Sequence, residues 1–290
     1  MKKLALIVTM IFLFSATAFA DWSASEIQAF KDKAAKGDAE AQYELGMAYI
    51  YGDGVDEDYD EAFKWMTKSA AQGYDQAQYD LGVMYDNGEG TEVDPVKAAE
   101  WYHKAAEQNH TDAQYNLGVM YNNGDGVPQD YAKAMQYYTL AAEKGDSDAQ
   151  YNLALMYDKG EGVDVNYEKA FYWYEKAALQ GDSDAQYNLA VMYDQGEGVK
   201  QDYKKAMEWY TKAAEQNDSD AQFNLSIMYK NGEGVKKDMV KAYMWMYLSA
   251  YNGDVEAESV LKSYEKDMNK KQVDNAIKLA TDWQNSPASK

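Results

Sequence analysis

The sequence has 290 residues, of which 28 are basic and 49 acidic, and its formal net charge at pH 7 is −21. A surface this negative repels nucleic-acid phosphates and anionic lipid head groups, which argues against nucleic-acid binding and peripheral membrane attachment. The chain contains no cysteine, so disulfides and thiolate chemistry are both excluded.

The first twenty residues have the pattern of a secretory signal peptide. Lys2 and Lys3 precede an apolar run over residues 4–14, and a small-x-small triplet ends at Ala20. The run is shorter than the roughly 20 residues that span a bilayer, so we predict cleavage after Ala20 rather than a membrane anchor. We therefore expect the mature chain in the periplasm or outside the cell, with no membrane insertion once the signal is removed.

The pattern Ala-Gln-aromatic-x-Leu recurs at a fixed spacing of 36 residues. Its six starts are Ala41, Ala77, Ala113, Ala149, Ala185 and Ala221. A period of this length is typical of stacked helical repeats, which bury a continuous core only together. The predicted divisions are a signal peptide (1–20), an N-terminal capping helix (21–40), six repeats (41–76, 77–112, 113–148, 149–184, 185–220 and 221–256), C-terminal capping helices (257–283) and a disordered tail (284–290).

Each repeat is predicted to contain two helices separated by glycine turns, as the third repeat illustrates. Asp112 is placed to cap a first helix that ends at Gly124, and Asp130 to cap a second helix that ends at Gly145. Helical spacing gives the first helix one apolar face, formed by Ala113, Leu117, Met120 and Tyr121.

Two further positions hold one kind of residue in every repeat. A position in the first helix is small, which predicts close approach of a neighbouring helix: Gly46, Gly82, Gly118, Ala154, Ala190 and Ser226. A position in the second helix is aromatic, and we expect its side chains in the core: Trp65, Trp101, Tyr137, Trp173, Trp209 and Trp245.

The repeats resemble the Sel1-like repeat family, a relative of the tetratricopeptide repeat. Residues 113–145 follow that family's pattern A-x-x-x-L-G-x-x-Y-x-x-G-x-G-V-x-x-D-x-x-K-A-x-x-W-Y-x-K-A-A-x-x-G closely, and the resemblance covers residues 41–256. Asn109 and Asn217 replace a closing glycine, at a position where asparagine can also take the left-handed conformation. The resemblance implies an all-α fold, a right-handed α/α solenoid of six helix-turn-helix repeats with a capping helix at the N-terminal end and capping helices at the C-terminal end.

The resemblance also implies that the first helices line a concave groove, whose polar residues form the candidate binding site. The fourth position of each repeat holds Glu44, Asp80, Asn116, Asn152, Asn188 and Asn224, and the position two turns later includes Asn87, Asn123 and Asn231. Asparagine amides can pair with the N–H and C=O groups of an extended peptide. We therefore predict a scaffold for protein or peptide partners, with basic segments favoured near Glu44 and Asp80. The same asparagines would equally suit a solvated face copied by repeat duplication.

Two other functions stay open at this stage. Ser259 to Lys262 and Ser263 to Lys266 have the Ser-x-x-Lys spacing of penicillin-recognising enzymes, but the companion Ser-Asp-Asn and Lys-Thr-Gly elements are missing. Some exported Sel1-like proteins are described as penicillin-binding or weakly β-lactamase-like, although those relatives are rich in cysteine. The other alternative is a secreted effector that binds a host protein.

The sequence predicts no catalytic residue, no cofactor and no metal site. The histidines, His103 and His110, have no second histidine or cysteine at ligand spacing. The acidic turn over residues 52–58 lacks the alternating ligands and closing glutamate of an EF-hand loop.

Overall fold

A computed structural model describes residues 22–285 of the chain, which form helices joined by short turns and contain no strand. The predicted signal peptide and residues 286–290 lie outside this range. The helices are α1 (Ala24–Ala34), α2 (Ala39–Tyr51), α3 (Tyr59–Ala71), α4 (Asp75–Asn87), α5 (Pro95–Glu107), α6 (Thr111–Asn123), α7 (Tyr131–Glu143), α8 (Ser147–Lys159), α9 (Tyr167–Leu179), α10 (Ser183–Gln195), α11 (Tyr203–Glu215), α12 (Ser219–Asn231), α13 (Met239–Tyr251), α14 (Ala257–Tyr264) and α15 (Lys270–Gln284).

The chain divides into two compact units with a boundary between Gln108 and Asn109. Helices α1 to α5 belong to the first unit and α6 to α15 to the second. Within each unit, each helix up to α13 packs on the next one along the chain, and α13 packs on both α14 and α15. The predicted pairing of first and second helices is therefore confirmed.

The helix ends follow the capping rules, with one correction. Asp130 caps α7 as predicted and accepts hydrogen bonds from the N–H groups of Ala132 and Lys133. The predicted cap of α6 was wrong: His110, not Asp112, is the N-cap, and its Nδ1 accepts from the N–H of Ala113 at 3.4 Å. The reason is distance along the chain, because a capping side chain reaches the N–H three residues ahead, whereas Asp112 already lies in the first helical turn.

Each Gly-x-Gly turn uses its two glycines differently, as the fifth repeat shows. Gly196 ends α10 in the left-handed conformation, with φ of 76°. Gly198 also has a positive φ, of 66°, and packs directly on the backbone of the preceding repeat. A Cβ atom added to Gly198 would lie 2.2 Å from the carbonyl oxygen of Tyr167, so that only glycine fits there. The asparagines predicted to adopt the left-handed conformation do so, with φ of 68° at Asn109 and 67° at Asn217.

The small position of the first helix lies against a tyrosine ring of its partner helix at Gly82 and Gly118, and against the side chain of Met66 at Gly46. A Cβ atom on Gly118 would be 2.5 Å from Cδ1 of Tyr138, so the prediction of close helix approach is confirmed. Tyr138, Tyr174 and Tyr210 are almost completely buried in the second unit.

This contact corrects the predicted position of the core stripe. The buried residue of each second helix follows the tryptophan position by one, and of the predicted aromatic row only Trp245 is fully buried. Trp173 and Trp209 lie half-buried against the core, and the Nζ atom of Lys212 lies 3.8 Å from the centroid of the Trp209 ring. The tyrosine rather than the tryptophan points inward because the glycine or alanine opposite leaves room for its ring.

Candidate functional site

The predicted groove residues occupy equivalent places on successive first helices. Glu44 and Asp80 lie on α2 and α4 of the first unit, and the four asparagines lie on α6, α8, α10 and α12 of the second. All six residues of this fourth position, which we call the inner row, are half-buried. The residues two turns later, the outer row, are exposed: Tyr51, Asn87, Asn123, Lys159, Gln195 and Asn231.

In the second unit the inner-row amides are engaged within the protein. Asn152 donates to the carbonyl oxygen of Asp148 at 2.8 Å, and Asn188 donates to that of Asp184 at 2.9 Å. Asn152 also shares a hydrogen bond with the hydroxyl of Tyr115, which lies one repeat earlier. These amides therefore connect adjacent first helices and have only part of their hydrogen-bonding capacity left for a partner.

The tyrosines that bond to these amides form the junction between adjacent first helices, and carboxylates lie close to them. Burial, followed by the carboxylates of Asp184 and Asp182, raises the pKa of Tyr151 to about 12. Its hydroxyl shares a hydrogen bond with Asn188 in the next repeat, and Tyr187 is bonded in the same way to Asn224. Tyr115, Tyr151 and Tyr187 thus each link one repeat of the second unit to the next, a role that the sequence pattern alone did not reveal.

The first unit has the same junction with a carboxylate in place of the amide. Tyr43 shares a hydrogen bond with Asp80, and burial together with the charges of Asp80 and Glu44 raises its pKa strongly. Burial, with a smaller effect of the Glu40 carboxylate, raises the pKa of Glu44 above its ordinary value. Glu44 and Asp80 are therefore half-buried acidic groups near aromatic rings.

Two rows of aspartates follow the N-terminal ends of the first helices in the second unit. Asp146, Asp182 and Asp218 are half-buried N-caps, and Asp148, Asp184 and Asp220 are exposed two residues later. Burial, and then the carboxylates of Asp184 and Asp148, raise the pKa of Asp182, although the hydrogen bond from the N–H of Ala185 opposes the shift. The ion pairs Lys64–Glu61 and Lys97–Asp94 lie in the first unit and involve none of these aspartates. The rows make this edge of the second unit attractive to cations.

The features considered for catalysis and metal binding do not assemble into a site. The hydroxyl of Ser259 donates to the carbonyl oxygen of Glu256 at 2.8 Å, and Ser259 and Ser263 are both exposed. Within residues 22–285 no group of three or more histidine or acidic side chains is arranged to hold a metal ion. In the same range, no helix combines the length and the apolar character needed to cross a membrane.

The repeat itself has a match among known protein families. The family model described as Sel1 repeat matches residues 39–74, 75–110, 111–146, 147–182, 183–218 and 219–254. The chain is a Sel1 repeat protein. The model begins each unit of this Sel1 repeat protein two residues before our boundaries, so that each unit includes the first turn of its first helix.

The chain is similar to several solved structures. A Sel1 repeat protein from Oxalobacter formigenes is 34% identical over 78% of this chain and 90% of its own, with a TM-score of 0.66. A protective antigen present in uropathogenic Escherichia coli strains, which displays an SLR fold, is 31% identical over 92% of this chain and 73% of its own, with a TM-score of 0.42. The cysteine-rich protein B of Helicobacter pylori is 28% identical over 46% of this chain and 96% of its own, with a TM-score of 0.38. No curated protein gives a significant match.

Proposed function

We propose that this Sel1 repeat protein is an exported scaffold that binds a segment of a protein partner across its first helices. The observation that carries the proposal is the exposed outer row of the second unit, which places one polar side chain on each of four successive first helices, α6, α8, α10 and α12. Stacked repeats commonly bind their partners on such extended surfaces. Because the side chains recur at a regular interval, an extended or helical segment could contact several of them at once.

The main role of the inner row is to hold the first helices in place, and it supplies fewer contacts to a partner than the outer row does. Asn152 and Asn188 are hydrogen-bonded to their own helices and to tyrosines of the preceding repeat, so they hold adjacent first helices at a constant spacing. Asn116 and Asn224 occupy the equivalent positions, and Glu44 and Asp80 add negative charge in the first unit. The proposed contacts come mainly from the outer row because its side chains are exposed, although Asn87, Asn123 and Asn231 each make one side-chain hydrogen bond to a residue one or two positions away.

The charge distribution favours a basic partner. The chain has 49 acidic residues against 28 basic ones, and the aspartate rows of the second unit are not paired with lysines. Complementary charge accelerates encounter and disfavours acidic partners. We therefore propose a partner whose bound segment contains lysine or arginine.

Site-specific photo-crosslinking in the producing cells tests the scaffold proposal. A photoreactive amino acid is placed in turn at Asn123, Lys159 and Gln195, one residue in each of three consecutive first helices. The matched control positions are Gln136, Tyr172 and Glu208, which are exposed and lie on the intervening second helices. Crosslinked products are then identified by mass spectrometry.

The pattern of crosslinked products shows whether the partner binds to the first helices or to the second helices. We expect one common partner to be crosslinked from all three first-helix positions and not from the control positions. The same partner captured only from the second helices would overturn the proposed surface. Absence of any crosslinked protein from all six positions would contradict the scaffold function itself.

Export is a separate part of the proposal, and it rests on residues 1–20. Amino-terminal sequencing of the protein isolated from periplasm and from culture medium tests it. We expect a chain that begins at Asp21 in one of these fractions. A chain that keeps its first twenty residues and remains in the cytoplasm would contradict export.

A further inference from the structure

The junction after the last repeat differs from the earlier junctions of the second unit. At an earlier junction Tyr187 shares a hydrogen bond with Asn224 of the next repeat. The corresponding residues at the last junction are Phe223 and Val260, and Val255 stands where the preceding junction has Ser219. Apolar side chains thus replace the tyrosine hydroxyl, the amide and the serine hydroxyl.

A cleft lies where this hydrogen-bonded link is missing. It has a volume of about 510 Å³ and is lined by Ser219, Asp220, Phe223, Gly253, Asp254, Val255 and Glu256. Phe223 is half-buried and Val255 is 85% exposed, so aromatic and aliphatic surface is accessible to solvent. The volume falls within the range of about 300–1,000 Å³ that is usual for ligand pockets.

The carboxylates around the cleft differ in their availability. Asp254 is used within the protein, since its Oδ1 accepts from the N–H of Glu256 at 2.8 Å and its Oδ2 accepts from the hydroxyl of Ser249 at 2.9 Å. Asp220 and Glu256 are exposed, and their carboxylates make no hydrogen bond or ion pair with the described part of the chain. Two carboxylates that have no hydrogen-bond or ion-pair partner within residues 22–285 therefore line the cleft together with Phe223 and Val255.

We propose that this cleft binds an arginine side chain of a protein partner. The aliphatic stem of arginine suits the surface of Phe223 and Val255, and its planar guanidinium can stack on an aromatic ring while donating to carboxylates. A purely apolar side chain would leave Asp220 and Glu256 unpaired, and an acidic one would be repelled by them. This inference rests on the proposed scaffold function and identifies one side chain that its partner presents.

Titration with a minimal probe, followed by two-dimensional NMR of the chain from residue 21 onward, tests the cleft directly. The probe is N-acetyl-arginine amide, and the control ligand is N-acetyl-citrulline amide, which has nearly the same shape without the charge. We expect arginine to shift the backbone amide signals of Phe223 and of residues 253–256, and citrulline to leave them unchanged. Equal shifts with both ligands, or no shift with arginine, would overturn the proposal.

A matched pair of variants distinguishes the cleft from the acidic rows in general. The double change Asp220→Asn and Glu256→Gln keeps the shape of the cleft, and we expect it to weaken arginine binding by on the order of tenfold or more. The change of Asp148 and Asp184 to Asn removes the same charge from equivalent positions of earlier repeats, and we expect it to alter the affinity less than about twofold. Equal weakening by both pairs would show diffuse attraction and would sink the assignment of the cleft.

The arginine titration tests a different part of the molecule from the crosslinking experiment. The crosslinking positions lie on α8, α10 and the end of α6, away from the residues that line the cleft. A partner crosslinked there together with a cleft that does not bind arginine would retain the scaffold and reject this inference. Arginine binding without any crosslinked partner would leave a cation site and reject the scaffold.

Discussion

Gln180 donates its side-chain amide to the buried Oε1 of Gln150 at 2.8 Å, and Gln150 in turn donates to the carbonyl oxygen of Ala142 at 3.0 Å. Ala142 and Gln150 lie in α7 and α8, and Gln180 is the C-cap residue of α9, so this hydrogen-bonded relay joins a first helix to the second helices on either side of it. Gln216 and Gln186 make the same contact one repeat later, at 3.0 Å. The glutamine of the Ala-Gln motif is therefore a structural link between repeats.

Replacing Gln150 by leucine is expected to destabilise the protein by about 1–3 kcal/mol, because the change removes two hydrogen bonds at a buried site. The control is Gln136→Ala, at an exposed position of α7, which should change the free energy of unfolding by less than about 0.5 kcal/mol. Urea unfolding followed by circular dichroism measures both. An unchanged midpoint for Gln150→Leu would show that the relay adds nothing to stability.

Glycine-to-alanine substitutions in the two kinds of turn are expected to lower the free energy of unfolding by different amounts. Gly198→Ala brings a Cβ atom against the carbonyl oxygen of Tyr167 in addition to its positive φ, whereas a Cβ at Gly181, with φ of 101°, meets no atom within 4 Å. We expect a loss of roughly 1–2 kcal/mol for Gly181→Ala from conformational strain alone, and a further 1–3 kcal/mol for Gly198→Ala from the overpacking. Thermal unfolding compares the two, and equal losses would contradict the proposed backbone contact.

Removing the negative charge of the half-buried aspartate caps is expected to increase the stability of the folded protein. The pKa values of Asp146, Asp182 and Asp218 are raised, mainly by burial. The folded chain therefore binds more protons than the unfolded chain in the pH range just above the ordinary aspartate pKa, and its stability falls as the pH rises through that range. Changing all three residues to asparagine, an equally good cap, should stabilise the protein at pH 7 and lose this advantage towards pH 3.

A second triple variant shows whether the stability gain comes from the lower net charge alone or from the position of the half-buried aspartates. Changing Asp130, Asp202 and Asp238 to asparagine removes three charges from the N-caps of second helices. If this variant gains as much stability at pH 7 as the first, the effect comes from net charge and not from the acidic edge. Urea unfolding at several pH values gives the comparison.

The raised pKa of Tyr151 predicts a loss of folding stability at alkaline pH. Its pKa of about 12, raised first by burial and then by the Asp184 and Asp182 carboxylates, exceeds the value of about 10 expected for an unfolded chain. Its contribution to stability is complete below about pH 10 and is lost as the pH rises through about 12. Tyr151→Phe should therefore lose less stability than the unmodified chain between these pH values. Tyr172→Phe, at an exposed tyrosine, is the control, and identical alkaline profiles for all three proteins would contradict the assignment.

The 36-residue period, helix pairing and glycine turns could all be deduced from the amino-acid order, because they depend on local signals that recur in every repeat. The close approach at Gly118 was also predictable, since a residue without a side chain has few other reasons to recur inside a helix. The family resemblance followed from the same periodicity.

The identity of the inward-facing ring could not be read from the order of residues. Trp173 and Tyr174 are adjacent and both aromatic, and only the packing of α9 against α8 shows that the tyrosine is buried while the tryptophan is half-exposed. A rotation of the helix by one residue changes which side chain meets the core, and periodicity does not resolve so small a rotation.

The binding surface required the packed structure for a related reason. Asn152 and Asn123 look equivalent as polar residues of first helices, but one is hydrogen-bonded to Tyr115 and Asp148 while the other is exposed. The cleft beside Phe223 likewise forms only where residues 253–256, which precede α14, fold next to α12. Helix formation depends on neighbours along the chain, whereas the availability of a side chain to a partner depends on residues a whole repeat away.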